Sequence, residues 1–461
     1  MRLNPLGLIL AVLLAGCREE TEGSYRSEVG SVPAMEQRDG DPDAGYDALV
    51  NEPYVSCGIP YEAFQRIFPE TDPADRLPGR DGLNADLPYA FTAHENNDGV
   101  TIVSSNCLTC HATRIEDEIV IGLGNEFADF THDPRRLALQ AGTYVRGNAE
   151  TQAWERWADR VEGIAPYIQT RTIGVNPAPN LTWALMAHRD PETLEWSNAP
   201  LIAPPPEDPL PISVPPWWNM RHKTAMFYTT IGRGDHSTFM LLASMLCVDS
   251  VEEFRAVDTY AGDVRAYLAS LEAPDYPFEI DTDLARTGAK LYSRECAECH
   301  GEGDDYPNRV YPLDEIGTDT AYARAATDGS RDRFYEWIAR SPYGDEQSAA
   351  PAPGYIAPPL DGVWATAPYL HNGSVPNLRL LLRPDARPNY WRHVRPRIYD
   401  EAAVGWRYER LQAGQDAVDD AAARREIYDT TLPGYGNKGH RFGAELLETE
   451  VKAIIEFLKT H

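Results

Sequence analysis

Two copies of one short pattern constrain this chain more than anything else in it. They are Cys107-Leu108-Thr109-Cys110-His111 and Cys296-Ala297-Glu298-Cys299-His300. In a helical turn, cysteines at i and i+3 lie on one face and the histidine at i+4 follows on the same side. Their sulfurs then reach the two vinyl groups of a haem, and the imidazole reaches the iron as proximal ligand. A zinc site would need four N/S ligands, usually from two CxxC pairs close together. Here the two pairs are far apart and each has its own histidine, so two covalently attached haem c groups are the expectation.

The remaining cysteines agree with export. Arg2 precedes an apolar run from Leu6 to Leu14, too short to span a bilayer, and the run ends in Leu14-Ala15-Gly16-Cys17. Small residues before a cysteine resemble a lipoprotein cleavage box, so Cys17 is expected to carry a lipid, the chain's contact with a membrane. The expected location is the periplasm or the outer membrane. Seven cysteines are present; the motifs take four and the box takes Cys17, which leaves Cys57 and Cys247. In an oxidising compartment they are either a disulfide or two buried thiols, and sequence does not decide.

Composition narrows the partners. The formal charge is −29, from 71 acidic against 42 basic side chains. Such a surface repels phosphate backbones and excludes nucleic acid as an expected partner, while it steers small cationic redox proteins. With 43% hydrophobic residues, 10 Trp and 24 Tyr the chain is globular, and its length suits two or three domains.

The expected organisation is a signal segment at 1–17, a polar tether at 18–50, a loop-rich haem domain at 51–274 and a second haem domain at 275–461. Apolar residues at helical spacing predict a helix over 251–271. A short amphipathic helix over 284–292 runs into the second motif, and an apolar face over 445–459 predicts a terminal helix. A CxxCH helix packed on a C-terminal helix resembles the framework of class I cytochrome c. The expected fold is therefore mainly α with long irregular loops, as two class I cytochrome c-like haem domains.

Function turns on the sixth position of each iron. A filled position transfers electrons; an open one binds peroxide or oxygen. His440 lies in Gly436-Asn437-Lys438-Gly439-His440-Arg441-Phe442-Gly443, where glycines let a loop approach a flat ligand closely. His371 lies in Pro359-Leu360-Asp361-Gly362-Val363-Trp364-Ala365-Thr366-Ala367-Pro368-Tyr369-Leu370-His371-Asn372-Gly373-Ser374-Val375-Pro376-Asn377-Leu378.

That long segment resembles the signature loop of the bacterial di-haem cytochrome c peroxidase superfamily. Pro215-Pro216-Trp217-Trp218, Ala225-Met226-Phe227-Tyr228, Arg233-Gly234-Asp235-His236 and Gly439-His440-Arg441-Phe442-Gly443 are most similar to its rubber-oxygenase branch. The resemblance covers roughly residues 50–461. It implies His111 and His300 as proximal ligands and His440 as distal ligand of the second haem, with His371 near the propionates. It implies Trp217 and Trp218 as an aromatic element between the haems. The first haem would be the reactive one, bordered by Phe227, Tyr228, Arg233 and His236. There Arg233 or His236 either polarises bound peroxide or O2 or anchors propionates. His132, shortly after the first motif, is a candidate removable ligand, and a Ca2+ between the domains is a further feature of several relatives. The activity implied is a haem-dependent, peroxidase-like oxidoreductase. The alternatives are dioxygenase cleavage of an apolar alkene and non-enzymatic electron carriage.

Overall fold

Two pairs of helices, each crossing at a glycine, organise the chain. The computed structural model describes residues 25–115, 118–301, 303–345 and 347–461. The proposed signal segment and Cys17 lie outside the described residues.

The first pair begins where a tether was expected. Asp41 caps helix Pro42–Asn51 by accepting from the Asp43 and Ala44 amides, and Pro42 occupies its first turn. Gly45, Ala48, Leu49 and Val50 form its buried face. It crosses helix Ala261–Ser270 so closely that a Cβ on Gly45 would stand 2.0 Å from the Asp263 carbonyl oxygen. Upstream, Gly30–Ser31 pairs antiparallel with Arg309–Pro312. Residues 25–50 are thus packed structure and not a flexible tether. Their acidic residues hid a short apolar face that acquires its partner more than two hundred residues later.

The second pair joins helix Thr282–Glu295, capped by Asp281, to helix Glu448–Leu458. A Cβ on Gly288 would stand 1.9 Å from the Ala453 carbonyl oxygen. Val451, Ile454, Ile455 and Leu458 face Leu291 and Tyr292 across this crossing, in the core of the second half. Each pair is accompanied by one CxxCH turn, on the short helices Leu108–His111 and Ala297–His300.

The expectation of a mainly α class I fold is not met. Helix accounts for 41% and strand for 12%, with no dominant class. Among the described residues the strands form five small sheets of two or three members. One of them, Ala112–Ile115 with Glu118–Ile121, directly follows His111. Another pairs Gly232–Gly234 of the first half with Gln347–Ala349 of the second, so the halves interlock. The reason lies in 37 prolines and 34 glycines. They break helical runs, and the freed backbone groups pair locally as short ladders.

The predicted helix over 251–271 is two, Val251–Asp258 and Ala261–Ser270. The helix breaks at Thr259–Tyr260, just before Gly262 comes against the Asp39 carbonyl, at 2.9 Å from a would-be Cβ. The continuous apolar spacing concealed that break. Cys57 and Cys247 form a disulfide with their Cα atoms 5.4 Å apart. None of the described helices is long and apolar enough to cross a membrane.

The Gly288 crossing gives a direct test. Gly288→Ala forces the two helices apart and costs about 1–3 kcal/mol, the usual range for an overpacked core. A urea melt of the haem-loaded protein should show the midpoint falling accordingly.

Candidate haem-binding sites

A cavity of about 220 Å³ lies between the signature loop, the second CxxCH turn and the glycine-rich loop of His440. Its walls are largely apolar, including Ile356, Leu381, Leu382, Leu446, Ile454 and Leu458. Cys296, Cys299, His300 and His440 all line it. The His300 Nδ1–H donates to the Pro358 carbonyl (2.8 Å), which leaves Nε2 with its lone pair. The rings of His300 and His440 have centroids 6.3 Å apart. An imidazole nitrogen sits about 2 Å from a first-row metal, so two trans imidazoles place their ring centres roughly 6 Å apart. The observed separation meets that requirement. Burial pulls His440 down to about 3, with the His300 and Arg387 charges adding to the effect. Burial also lowers His300, against the Pro358 hydrogen bond. Both imidazoles are therefore neutral at pH 7, the form that binds a metal.

The loop carrying His440 is strongly held. Gly439 has φ +77° and packs where a Cβ would be 2.1 Å from the Gly317 carbonyl carbon, so only glycine fits. The His440 amide donates to the Ile316 carbonyl (2.8 Å). Arg387, a residue the sequence did not single out, donates to the carbonyls of Asn437, Gly439 and His440. From the signature loop, Asn372 Nδ2 donates to the Gly434 and Gly436 carbonyls. The signature loop thus fixes the backbone that presents the distal imidazole. His371 is buried, stacked on Tyr355 with ring centres 4.3 Å apart, and lines the same cavity without facing His300.

The first CxxCH turn has a different setting. The ring in contact with His111 among the described residues is the indole of Trp217, parallel at 4.4 Å. Burial pulls His111 down to about 3, and its Nδ1 has no hydrogen-bond partner. Cys107 packs with Leu108, Trp217, Val264 and Leu268, and with Met220 and Met240 beside them. Trp218, next in the chain, turns the other way. Its Nε1–H donates to the Asp361 carbonyl (2.8 Å) on the wall of the His300 cavity, and its ring is fully buried there. Two consecutive indoles therefore touch the two sites in turn.

Phe227 sits in a tight turn, with φ +66° there and φ +54° at Thr230. Arg233 clamps that turn: Nε donates to the Thr230 carbonyl, and Nη2 to Thr230 Oγ1 and Ser27 Oγ. Its guanidinium is engaged structurally, unlike the free polarising group the resemblance suggested. His236 is 3% exposed. His132 is exposed, against Asp129 and Arg425, and no ring contact joins it to His111. Among the described residues no group of three or more His, Cys, Asp or Glu is arranged for a bare metal ion such as Ca2+.

Glu126 lies between the two sites and was also missed. Two residues back, the Gly124 Cα lies against Val214; one residue back, the Asn125 amide donates to the Cys110 carbonyl (2.9 Å). The Glu126 carboxyl accepts from Ser213 Oγ (2.8 Å). Ser213 in turn accepts from Tyr228 Oη (3.1 Å) at its carbonyl and donates its amide to the His371 carbonyl. Burial pushes Glu126 up to about 8. A lone acid in a glycine-rich stretch gave no warning of this.

Residues 354–392, the signature loop and its flanks, match a family described as RoxA-like, cytochrome c-like. That domain supports a haem cytochrome of the c type and implies covalently bound haem c. The uncharacterized protein y4iM of Sinorhizobium fredii (strain NBRC 101917 / NGR234) is 30% identical over 325 residues, covering 61% of this chain and 71% of that protein. The chain belongs to the same family as y4iM. The uncharacterized protein y4iJ of the same strain is 29% identical over 246 residues, with 39% of each chain covered. The chain thus spans about two-fifths of y4iJ.

The residues present fit haem at both places: apolar walls, a paired-cysteine turn, and orphaned imidazole nitrogens beside it. The Glu126 environment adds a stability test. The folded chain keeps a proton on Glu126 that the unfolded chain releases above about 4.5, so folding is favoured at low pH and that stability is lost as pH rises from about 4.5 through 8. Glu126→Gln should match the parent in thermal melts at pH 4. It should exceed the parent by on the order of 1 kcal/mol or more at pH 8.5.

Proposed function

We propose that this chain is an exported, two-haem oxidoreductase whose two irons are unequally ligated. The observation that carries the reading is the contrast between the sites. His300 faces a second imidazole across its cavity, whereas the ring stacked on His111 among the described residues is an indole. Haem c bound at these motifs would supply a reversible one-electron centre at His300 and, at His111, an iron that takes up peroxide or O2.

The chain's own residues then divide the work. His300, oriented by the Pro358 carbonyl, and His440, held by Arg387 and Asn372, close both faces of the second site and keep oxidant out. Trp217 stacks on His111 and Trp218, its neighbour in the chain, reaches the second site's wall, so the two indoles join the sites through one peptide bond. Phe227, on its clamped turn, packs against Phe239 in the core cluster of Ile231 and Leu241, a cluster other than the one around Cys107. This arrangement supports placement near the di-haem peroxidase and rubber-oxygenase proteins.

The Cys57–Cys247 disulfide supports an oxidising, periplasmic or outer-membrane-anchored location. An electron donor with a basic face fits the second site's mouth. There Phe442, 45% exposed, lines the cavity together with the exposed acid Glu315.

A second reading, electron carriage without catalysis, draws on Met220 and Met240, which pack in the cluster around Cys107. A methionine closing the first iron would leave two electron-transfer centres.

EPR of the isolated protein separates the two. One high-spin and one low-spin bis-histidine signal, with cyanide binding at one iron and turnover of peroxide, is the expected result. Two low-spin irons and no peroxide turnover would establish the carrier. Incubation with polyisoprene under O2, scored for carbonyl products, identifies the alkene-cleaving variant. His440→Ala should convert the second signal to high spin.

A further inference from the structure

Three basic side chains, His236 buried and Lys223 and Arg265 half-buried, gather in the first half. Lys223 closes the 3-10 helix Trp217–His222, His236 opens helix His236–Met240, and Arg265 lies on helix Ala261–Ser270. The Lys223 ammonium has neither a hydrogen bond nor an ion pair among the described residues, and burial alone brings it down to about 8. His236 Nε2 is buried with no partner, and so is Arg265 Nε. After the larger effect of burial, Lys223 and Arg265 both push His236 down, against Asp235, which raises it. The neighbouring acid, Asp235, is engaged by Arg38, Ser237 and Thr238. Burial holds His236 down to about 4, so near pH 7 it is a neutral donor and the positive charge of the group sits on Lys223 and Arg265, where an anion would be favoured.

The other ends of the same three elements identify the anion. Trp217 begins the 3-10 helix and stacks on His111. Met240 ends the second element and packs in the cluster around Cys107. Val264 and Leu268, flanking Arg265 on the third, pack there with Leu108. One end of this slot is apolar and lies at the CxxCH turn; the other is cationic. A haem has the same polarity, with an apolar macrocycle and two carboxylates on one edge.

We propose that Lys223, His236 and Arg265 form the anion-binding end of the first haem slot and hold its two propionates. The inference rests on the two-haem reading above. It assigns His236 to the propionate edge, together with two residues that the sequence did not mark.

The test uses the full-length, haem-loaded protein. Peptide mass spectrometry first asks whether haem is attached at Cys107 and Cys110; an unmodified peptide overturns both this proposal and the two-haem reading. With haem attached, EPR-monitored potentiometry follows each iron separately. A positive charge beside the propionates favours the reduced iron. Lys223→Gln and Arg265→Gln should therefore each shift the first haem's reduction equilibrium about tenfold towards the oxidised form, roughly 59 mV for one electron. The second haem should keep its potential. Lys223→Arg, which retains the charge, should restore the parent value, and Arg286→Gln, at an exposed surface site, should leave both haems unchanged. Arg265→Gln stands on a different element and decides the matter if Lys223→Gln does not fold. Unchanged first-haem potentials in the folded variants, or equal shifts in both haems, would overturn the propionate assignment and leave the two-haem reading intact.

Discussion

Two neutral imidazoles facing each other across an apolar slot, 6.3 Å between ring centres, set the requirement that the second half of the chain is built to meet. Neither ring can drift by much and still share one metal. His300 is oriented by the carbonyl of Pro358, the residue immediately before the signature loop. His440 stands on a loop that cannot stabilise itself, because its glycines have no side chains to pack. The stability of that loop comes from outside it: Arg387 gathers its carbonyls, Asn372 ties down Gly434 and Gly436, and the Asp319 carboxylate accepts from the Gly436 amide. These are charge-assisted or buried hydrogen bonds, stronger than an exposed turn could make alone.

The first site obeys the same chemistry with a different outcome. Its proximal imidazole is sandwiched by an indole, and its surroundings supply thioethers, phenols and basic side chains in place of a second histidine. The difference between the halves is therefore one of lining and not of motif, since the two CxxCH turns are locally alike. The consecutive residues Trp217 and Trp218 connect these unlike environments through one peptide bond, one ring on each side.

Much of this was legible in the chain. The two motifs, His440 among its glycines, the signature loop and the terminal helix were all readable, because each depends on short-range spacing or on residues whose chemistry has few uses. Helix Pro42–Asn51 was not, because its apolar face is only four residues wide and is surrounded by acids. The break at Thr259–Tyr260 was hidden by continuous periodicity. Arg387, Glu126, Lys223 and Arg265 carry no local signature, since an arginine or glutamate on the surface reads the same as one buried. The position of Arg233 against Thr230 likewise depends on a turn that only the folded backbone defines.

By itself the sequence determined which atoms are available to hold a haem: two cysteine pairs, their histidines and one distal candidate, with helix geometry at i, i+3 and i+4 bringing each set together. Tertiary structure decided which groups face each other across a slot, which basic side chains gather, and which helices can touch. Those outcomes depend on contacts between residues hundreds of positions apart, such as Gly45 on Asp263 and Gly288 on Ala453. Burial, which turns an ordinary side chain into a ligand, a proton store or an anion site, exists only once those distant segments have closed around it.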